Sequence, residues 1–84
     1  MEASAEIPAC RVFPNPVAVG GQVNVELSES VLTVFRLFDA QGRAVRVEQI
    51  EGSARLRLGD LPAGVYNYSV ESAAFMRFGV LVVR

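Results

Sequence analysis

The sequence predicts an all-β fold, namely a seven-stranded antiparallel β-sandwich of immunoglobulin-like type. Three observations support this fold. Short segments alternate apolar and polar residues with a period of two, turn-forming residues separate them at intervals of about 8–12 residues, and no segment has helical periodicity. The cysteine pair and the tryptophan of a true immunoglobulin domain are absent, so only the architecture is predicted. A small closed barrel is the alternative fold.

The first strand is predicted at residues 7–13, where Pro8 either bends the strand or restricts it to an edge. Pro14, Asn15 and Pro16 follow. The two prolines fix two φ angles and disfavour helix in the residues before them. This segment therefore predicts a rigid corner.

The next two strands differ in how they are covered. Residues 22–27 form the clearest strand, because Val23, Val25 and Leu27 alternate with polar residues and are predicted to face the core. Residues 31–38 are largely apolar on both faces. That pattern is typical of a central strand whose second face is partly covered by a neighbour or a partner.

A hairpin turn follows, in which Gly42 is expected to take a left-handed conformation as part of a type I turn with a bulge. The returning strand is predicted to point Val45 and Val47 inward. In the strand after it, Arg55 and Arg57 face water. We interpret them as a soluble strand surface that discourages edge pairing, and contact with an anionic partner is the alternative.

A tight corner that contains Leu61, Pro62 and Gly64 begins the sixth strand. Pro62 presets φ for the turn, and Gly64 is expected to supply a positive φ at its exit. Tyr66 and Tyr68 then fall on one face of the strand, where we interpret them as core residues with a hydroxyl that reaches the sheet edge. A sugar-stacking platform is the alternative.

The final strand is predicted at residues 75–83 and is apolar on both faces. Gly79 inside it indicates a bulge or a close backbone approach. Residues 80–83 would form an apolar edge of the kind that proteins shield. We predict that they pair within the sandwich, and the alternative is that they are offered to another protein by strand addition.

Composition argues against several functional classes. A chain of 84 residues that is 51% hydrophobic forms one folded domain, and we assign residues 1–8 to a linker remnant and residues 9–84 to that domain. The net charge of −1 and the lack of a basic patch argue against nucleic-acid binding. With no histidine, a single cysteine and scattered carboxylates, the sequence predicts no catalytic residues, no metal site and no cofactor.

Four separated motifs resemble one known family. They are VFPNP at residues 12–16, LFDAQGR at residues 37–43, LPAGVY at residues 61–66 and VLVVR at residues 80–84. In order and spacing they resemble the C-terminal sorting domain of the type IX secretion system, also called the Por secretion tail or type A sorting domain. The resemblance covers the chain from about residue 12 to residue 84.

The resemblance implies a seven-stranded immunoglobulin-like sandwich that acts as a non-enzymatic signal. Such domains end cargo proteins of Bacteroidetes-type Gram-negative bacteria. They direct the cargo from the periplasm through an outer-membrane translocon to the cell surface or the medium. A shuttle protein of the outer membrane receives the domain, and in most cargo a sortase removes it and joins the cargo to anionic lipopolysaccharide.

The resemblance also implies site residues, by position. The expected recognition residues are Arg77, Val80, Leu81, Val82, Val83 and Arg84. The expected structural positions are Pro14, Asn15, Pro16, Gly42, Leu61, Pro62, Gly64 and Tyr66. Many members carry a lysine or another long polar residue just before the last apolar run, where this chain has Gly79 and Val80. We expect Arg77 to substitute for that residue, because it lies on the same face of the strand as Gly79.

Other functions stay open at this point. Because Gly79 departs from the pattern of the family, an uncleaved sorting domain on a surface-retained component of the secretion machinery is one alternative. An immunoglobulin-like accessory module that binds glycan or protein is a second alternative, and a domain that forms a homodimer through an exposed edge strand is a third.

Overall fold

The computed structural model describes residues 10–84 and contains seven strands, with no helix in that part of the chain. The strands are β1 Cys10–Phe13, β2 Gln22–Leu27, β3 Leu32–Phe38, β4 Ala44–Glu51, β5 Ala54–Arg57, β6 Gly64–Glu71 and β7 Met76–Val83. The prediction of an all-β, seven-stranded fold is confirmed. The predicted linker, Pro8 and the first residues of the predicted first strand lie outside the described residues. No helix able to cross a membrane occurs within residues 10–84.

The strands form two antiparallel sheets. One sheet has the order β1-β2-β5, and the other has the order β4-β3-β6-β7. Within the described residues no named strand of one sheet pairs with a strand of the other, so the fold is a two-sheet sandwich and not the closed barrel. The order is compatible with an immunoglobulin-like connection of the sheets. The third strand is central, as its double-sided apolar pattern predicts.

The core lies between the two sheets and is built by alternate residues of each strand. Val23 and Val25 of β2 are fully buried, and they meet Phe35 and Leu37 of β3 in a single apolar cluster. The other buried apolar residues are Val17, Ile50, Leu58, Leu61, Tyr66, Val70, Leu81 and Val83. Each large side chain buried in this way contributes about 1.5–3 kcal/mol to the free energy of folding. Because turning a strand over would expose all of its apolar side chains at once, the two-residue period determines which face of each strand points inward.

The prediction that Val47 points inward is wrong, because its side chain is 57% exposed. A β-bulge near the end of β3 inserts one extra residue into β4. Val45 still packs against the core, but Val47 pairs with Arg36 and points away from the core. Arg46 instead takes the inward position, where its guanidinium donates to the Leu58 carbonyl at 2.7 Å.

At the corner before β6, the glycine that takes a left-handed conformation is not the predicted one. Gly59 has the positive φ, at 64°, whereas Gly64 has no positive φ and begins β6. The prediction of a left-handed Gly64 is therefore wrong, because the chain reverses before Leu61 and not after it. Tyr66 ties the corner together: its hydroxyl donates to the carbonyl of Pro62 at 2.6 Å, and its side chain is only 5% exposed.

The turn between β3 and β4 is held by the carboxylate of Asp39. It accepts hydrogen bonds from the backbone N–H of Arg43 at 3.0 Å, from the backbone N–H of Gln41 at 2.9 Å and from Nε of Arg43 at 2.9 Å. Gly42 has the predicted left-handed φ, at 84°. The backbone N–H of Arg43 is the largest of the causes that lower the pKa of Asp39 below its ordinary value of 3.8.

We expect Asp39→Asn to weaken the acid dependence of stability. Because the pKa of Asp39 is lower in the folded chain, the carboxylate contributes stability that is present above the unfolded pKa. That stability is lost as the pH falls through the folded pKa. Urea midpoints measured from about pH 7 down to about pH 2 should therefore fall less in the variant than in the unchanged chain. Asp60→Asn is the control, and equal acid-induced losses in Asp39→Asn and the unchanged chain would contradict the expectation.

Candidate functional site

The predicted recognition segment lies in β7, the last strand of the four-stranded sheet. β7 pairs with β6 over its whole length, from Met76 opposite Glu71 to Val83 opposite Gly64. The prediction that this segment pairs within the sandwich is confirmed. One long edge of β7 is thereby occupied by β6, and access depends on what lies along its other edge.

Residues 15–19, which we call the strap, cover the second edge of β7 at its end. The backbone N–H of Val17 donates to the Val82 carbonyl at 2.9 Å, and the N–H of Val19 donates to the Arg84 carbonyl at 3.0 Å. The N–H of Arg84 donates back to Val17 at 2.9 Å. Val17 is itself 3% exposed, so the strap is anchored in the core and not merely laid on the surface.

Asn15 extends this pairing with its side chain. Its amide nitrogen donates to the Val80 carbonyl at 2.6 Å, and its amide oxygen accepts the N–H of Val82 at 3.0 Å. The amide therefore takes the place that a peptide group of a neighbouring strand would take. Pro14 and Pro16 on either side have no N–H to satisfy. Both peptide bonds that precede these prolines are cis.

The corner at Pro14, Asn15 and Pro16 thus has a clear role in the fold. β1 belongs to the three-stranded sheet, and the corner transfers the chain to the edge of the four-stranded sheet, where Val17 forms a parallel bridge with Val83. The sequence predicts a rigid corner but not its destination. The contact that fixes the destination joins residues 65 and 67 positions apart.

The predicted recognition residues do not share one environment. Val80 is 48% exposed and Val82 is half-buried, and both point away from the core. Leu81 and Val83, which alternate with them, are 0% and 1% exposed and belong to the core. Arg84 is exposed. A partner that leaves the fold intact therefore meets alternate side chains of this segment only.

Arg77 and Gly79 lie on the inward side of β7, opposite Val70 and Tyr68. Arg77 is half-buried, and its charge lowers the pKa of Cys10, although burial is the larger cause and raises that pKa overall. Arg77 and Gly79 do lie on the same face, as expected. Val80 and Val82, which are also predicted recognition residues, point to the opposite side of the sheet.

Gly79 marks a close approach and not a bulge, because β6 and β7 pair without a register shift. The ring of Tyr68 lies directly over Gly79, and a Cβ added there would fall within 2.7 Å of Tyr68 Cε2. The same ring stacks on Phe35, with centroids 5.8 Å apart. Since Tyr66 is buried and Tyr68 is partly buried against the core, the two tyrosines do not form an exposed sugar-stacking platform.

The four sequence motifs come together at one end of the sandwich. Gly64 and Tyr66 of the corner pair with Val83 and Leu81 of β7. The strap runs along the other edge of β7. The turn that contains Gly42 lies beside the corner, since its residues Asp39, Ala40, Gln41 and Arg43 line the same surface hollow as residues 62–66. Motifs that are far apart in sequence therefore lie at the same end of the four-stranded sheet, where the strap and the corner pair directly with β7.

No group of three histidine, cysteine, aspartate or glutamate side chains is placed to hold a metal ion within residues 10–84. The three surface ion pairs that the structure gives for this part of the chain join Arg11 to Glu26, Arg36 to Glu71 and Arg43 to Asp39. Arg55 and Arg57 are exposed on the outer side of β5, as predicted. The candidate site at the end of β7 therefore consists mainly of paired backbone groups and apolar side chains.

We expect Asn15→Ala to reduce the free energy of unfolding by about 1–3 kcal/mol, because two hydrogen bonds to β7 are lost and two backbone groups are left without these partners. Urea denaturation measures the change. Gln22→Ala is the control, since Gln22 is an exposed amide on β2, which belongs to the other sheet from β7. A loss of equal size in both variants would contradict a specific role for the Asn15 amide.

Comparison with known proteins gives one family. A family model described as a secretion system C-terminal sorting domain matches residues 11–83, which is nearly the whole described chain. A comparison with curated individual proteins gives no match. The matched range begins in β1 and ends with β7. It therefore includes the strap, the turn at Gly42, the corner before β6 and the end of the last strand.

Proposed function

Because this chain belongs to the family of secretion system C-terminal sorting domains and is a type IX sorting signal, we propose that the outer-membrane shuttle protein and translocon read it at the end of β7. The single observation that carries this proposal is that all four motifs lie at this end of the sheet, where the strap and the corner pair with β7. Because the chain is a type IX sorting domain, the protein that contains it is exported to the cell surface or the medium. We also propose that this protein passes through the periplasm on its way.

The proposed reading surface consists of the outward side chains of the segment. Val80, Val82 and Arg84 are available to a partner, whereas the core holds Leu81 and Val83. Arg84 supplies the positive charge and the two valines supply apolar contact. The backbone of the same segment is occupied by β6 and the strap. The proposal is therefore recognition by side chains, because strand addition here would first require the strap to leave.

We further propose that the domain has no catalytic activity and is the substrate of a sortase. In this proposal the sortase removes the domain and joins the cargo to anionic lipopolysaccharide. The compact pairing at residues 80–84 supports a folded signal whose removal takes place upstream of the sandwich. Retention on an uncleaved component of the secretion machinery is the alternative that the same experiment separates.

The experiment is a reporter protein fused upstream of residues 1–84 in a bacterium with a type IX system. We expect the reporter to reach the cell surface or the medium. A triple variant, Val80→Ser, Val82→Ser and Arg84→Ala, should leave it in the periplasm. These side chains are wholly or partly exposed, so the variant should keep its fold, which circular dichroism checks. Val47→Ser, which also alters an exposed valine but on β4, should be exported normally.

Two results separate the parts of this proposal. Normal export of the triple variant would show that the end of β7 is not read through its side chains. The mass of the exported reporter then reports on the sortase: loss of the domain together with an added lipopolysaccharide is expected. An exported reporter of full mass would overturn cleavage and support the uncleaved form.

A further inference from the structure

The four-stranded sheet has an apolar outer face, by which we mean the side turned away from β1, β2 and β5. Seven large apolar side chains stand out as exposed in residues 10–84, and six of them lie on this face. The six are Leu32, Val47, Val65, Met76, Phe78 and Val80. Their placement follows from the register, because residues that pair across neighbouring strands point to the same side of a sheet. Phe78 is the most exposed of them, at 74%.

The exposed apolar surface is large for a chain of this size. The six side chains together present on the order of 600 Å², in two bands on either side of the polar outward residues of β6, which are Asn67, Ser69 and Glu71. The half-buried side chains Val34, Phe38 and Val82 extend the same face. With them the area approaches the roughly 800 Å² per partner of a standard protein interface. A surface of this kind is expected to be covered by protein.

The edges of this sheet are poorer interaction surfaces than its face. The end of β7 is paired with the strap. β4 carries a bulge and the inward charge of Arg46, two devices that discourage edge-to-edge pairing. This argues against a dimer formed by strand addition at the end of β7 or at β4. Contact through the face leaves every existing backbone hydrogen bond in place.

The outer face is complementary to itself. Met76, Phe78 and Val80 form a raised row along β7, and a shallow hollow of ≈ 410 Å³ lies over β3, lined in part by Leu32, Val34 and Arg36. β6 runs between the row and β3, and its last residue, Glu71, lines the hollow together with Ser72 and Ala73. A two-fold axis parallel to β6 would place the row of each copy over the hollow of the other, which satisfies the isologous symmetry of most dimers.

The charges on this face are compatible with burial. Arg36 and Glu71 form an ion pair at 2.9 Å within one copy, so covering these two groups does not leave either charge unpaired. Glu51, which is opposite Leu32 at the end of β4, also points outward and is exposed, so it has to stay at the rim of the contact. The aliphatic stem of Arg36 lies in the row of Ser69 and Phe78 across the sheet. An aromatic ring from a second copy that enters the hollow would therefore meet Arg36 as well as apolar side chains.

We propose that the outer face is the interface between two copies of this chain, packed sheet on sheet, with Phe78 of each copy in the β3 hollow of the other. The interface differs from a dimer formed through the edge of β7, because it uses side chains and not free backbone groups. It goes beyond the sorting function and does not depend on it, but it covers Val80 and Val82, so a dimer and a shuttle protein bound at these side chains would exclude each other.

Sedimentation of the 84-residue chain from about 1 to about 100 µM tests the proposal. We expect a monomer–dimer equilibrium, and Phe78→Glu should raise the dimer dissociation constant by at least about 30-fold, as expected for a central anchor residue. Val19→Glu is the matched control, because Val19 is 52% exposed but lies in the strap and off the outer face. It should dimerise like the unchanged chain.

A second measurement locates the contact. In a mixture of isotope-labelled and unlabelled copies, NOEs between copies should connect the Phe78 ring with Arg36, which lies at the same level of the sheet, and with the neighbouring Val34. A chain that stays monomeric over the whole concentration range overturns the proposal. If Phe78→Glu also impairs secretion of such a monomer, the outer face serves contact with the secretion machinery and not with a second copy. A dimer that Phe78→Glu leaves intact, or one whose NOEs arise from β5, overturns it as well.

Discussion

Removal of residues 80–84 is expected to abolish the cooperative unfolding transition of the domain. Leu81 and Val83 are fully buried, and loss of one large core side chain costs about 2–5 kcal/mol. The deletion also removes the pairing partners of the strap. A domain of this length is stable by only about 4–12 kcal/mol, so the combined loss is comparable to its entire stability.

Thermal denaturation followed by circular dichroism tests this expectation. Arg84→Ala is the control, because it retains the backbone bonds between Arg84 and the strap and should melt cooperatively. A sharp transition in the shortened chain would contradict the result. If the shortened chain is unfolded, its failure to be secreted says nothing about recognition, and variants of exposed side chains are needed to test the reading surface.

Gly79→Lys, which introduces a long basic side chain on the inward side of β7, is expected to destabilise this chain by about 3 kcal/mol. The new Cβ would overlap the ring of Tyr68, and overpacking of this kind typically costs about 1–3 kcal/mol. Displacement of the ring also disturbs its stacking on Phe35, a contact worth about 0.5–1.5 kcal/mol. Urea denaturation measures the change.

A double-mutant cycle identifies the cause. Gly79→Ala should be costly in the unchanged chain and cheap in a Tyr68→Ala background, because the ring that the Cβ meets is then gone. Gly64→Ala is the matched control, since Gly64 also lies in a strand but an added Cβ would make only an ordinary contact, 3.7 Å from Tyr66 Cε1. Additive effects of the Gly79 and Tyr68 changes would refute the explanation by overlap.

Much of the fold follows from local sequence pattern. The period of two assigns the inward faces of β2 and β6 correctly, since Val23, Val25 and Tyr66 are all buried. The double-sided apolar pattern also identifies β3 as central. Where the pattern fails, at Val47, the cause is a bulge that shifts the alternation by one residue. No glycine or proline in that strand signals the bulge.

The candidate site is less predictable, because its decisive contacts are not local. Asn15 between two prolines indicates a rigid corner, but nothing nearby in the sequence shows that its amide will bond to Val80 and Val82. The positive φ at Gly59 is missed because Gly64, next to Pro62, is the more obvious turn residue. The apolar outer face is visible in sequence only as excess hydrophobicity of two strands, and the register is needed to bring Phe78 and Leu32 to the same side.

The pairing of the strap with the end of β7 has a consequence for the time at which the domain can finish folding. It connects residues 65 and 67 positions apart, and contacts of such long range form slowly because a large loop must first be closed. A chain that emerges progressively, from a ribosome or from a narrow channel, has Asn15 free long before Val82 arrives. Closure of the Asn15 amide on β7 therefore comes late, and it can occur only after nearly the whole of this sequence has been delivered.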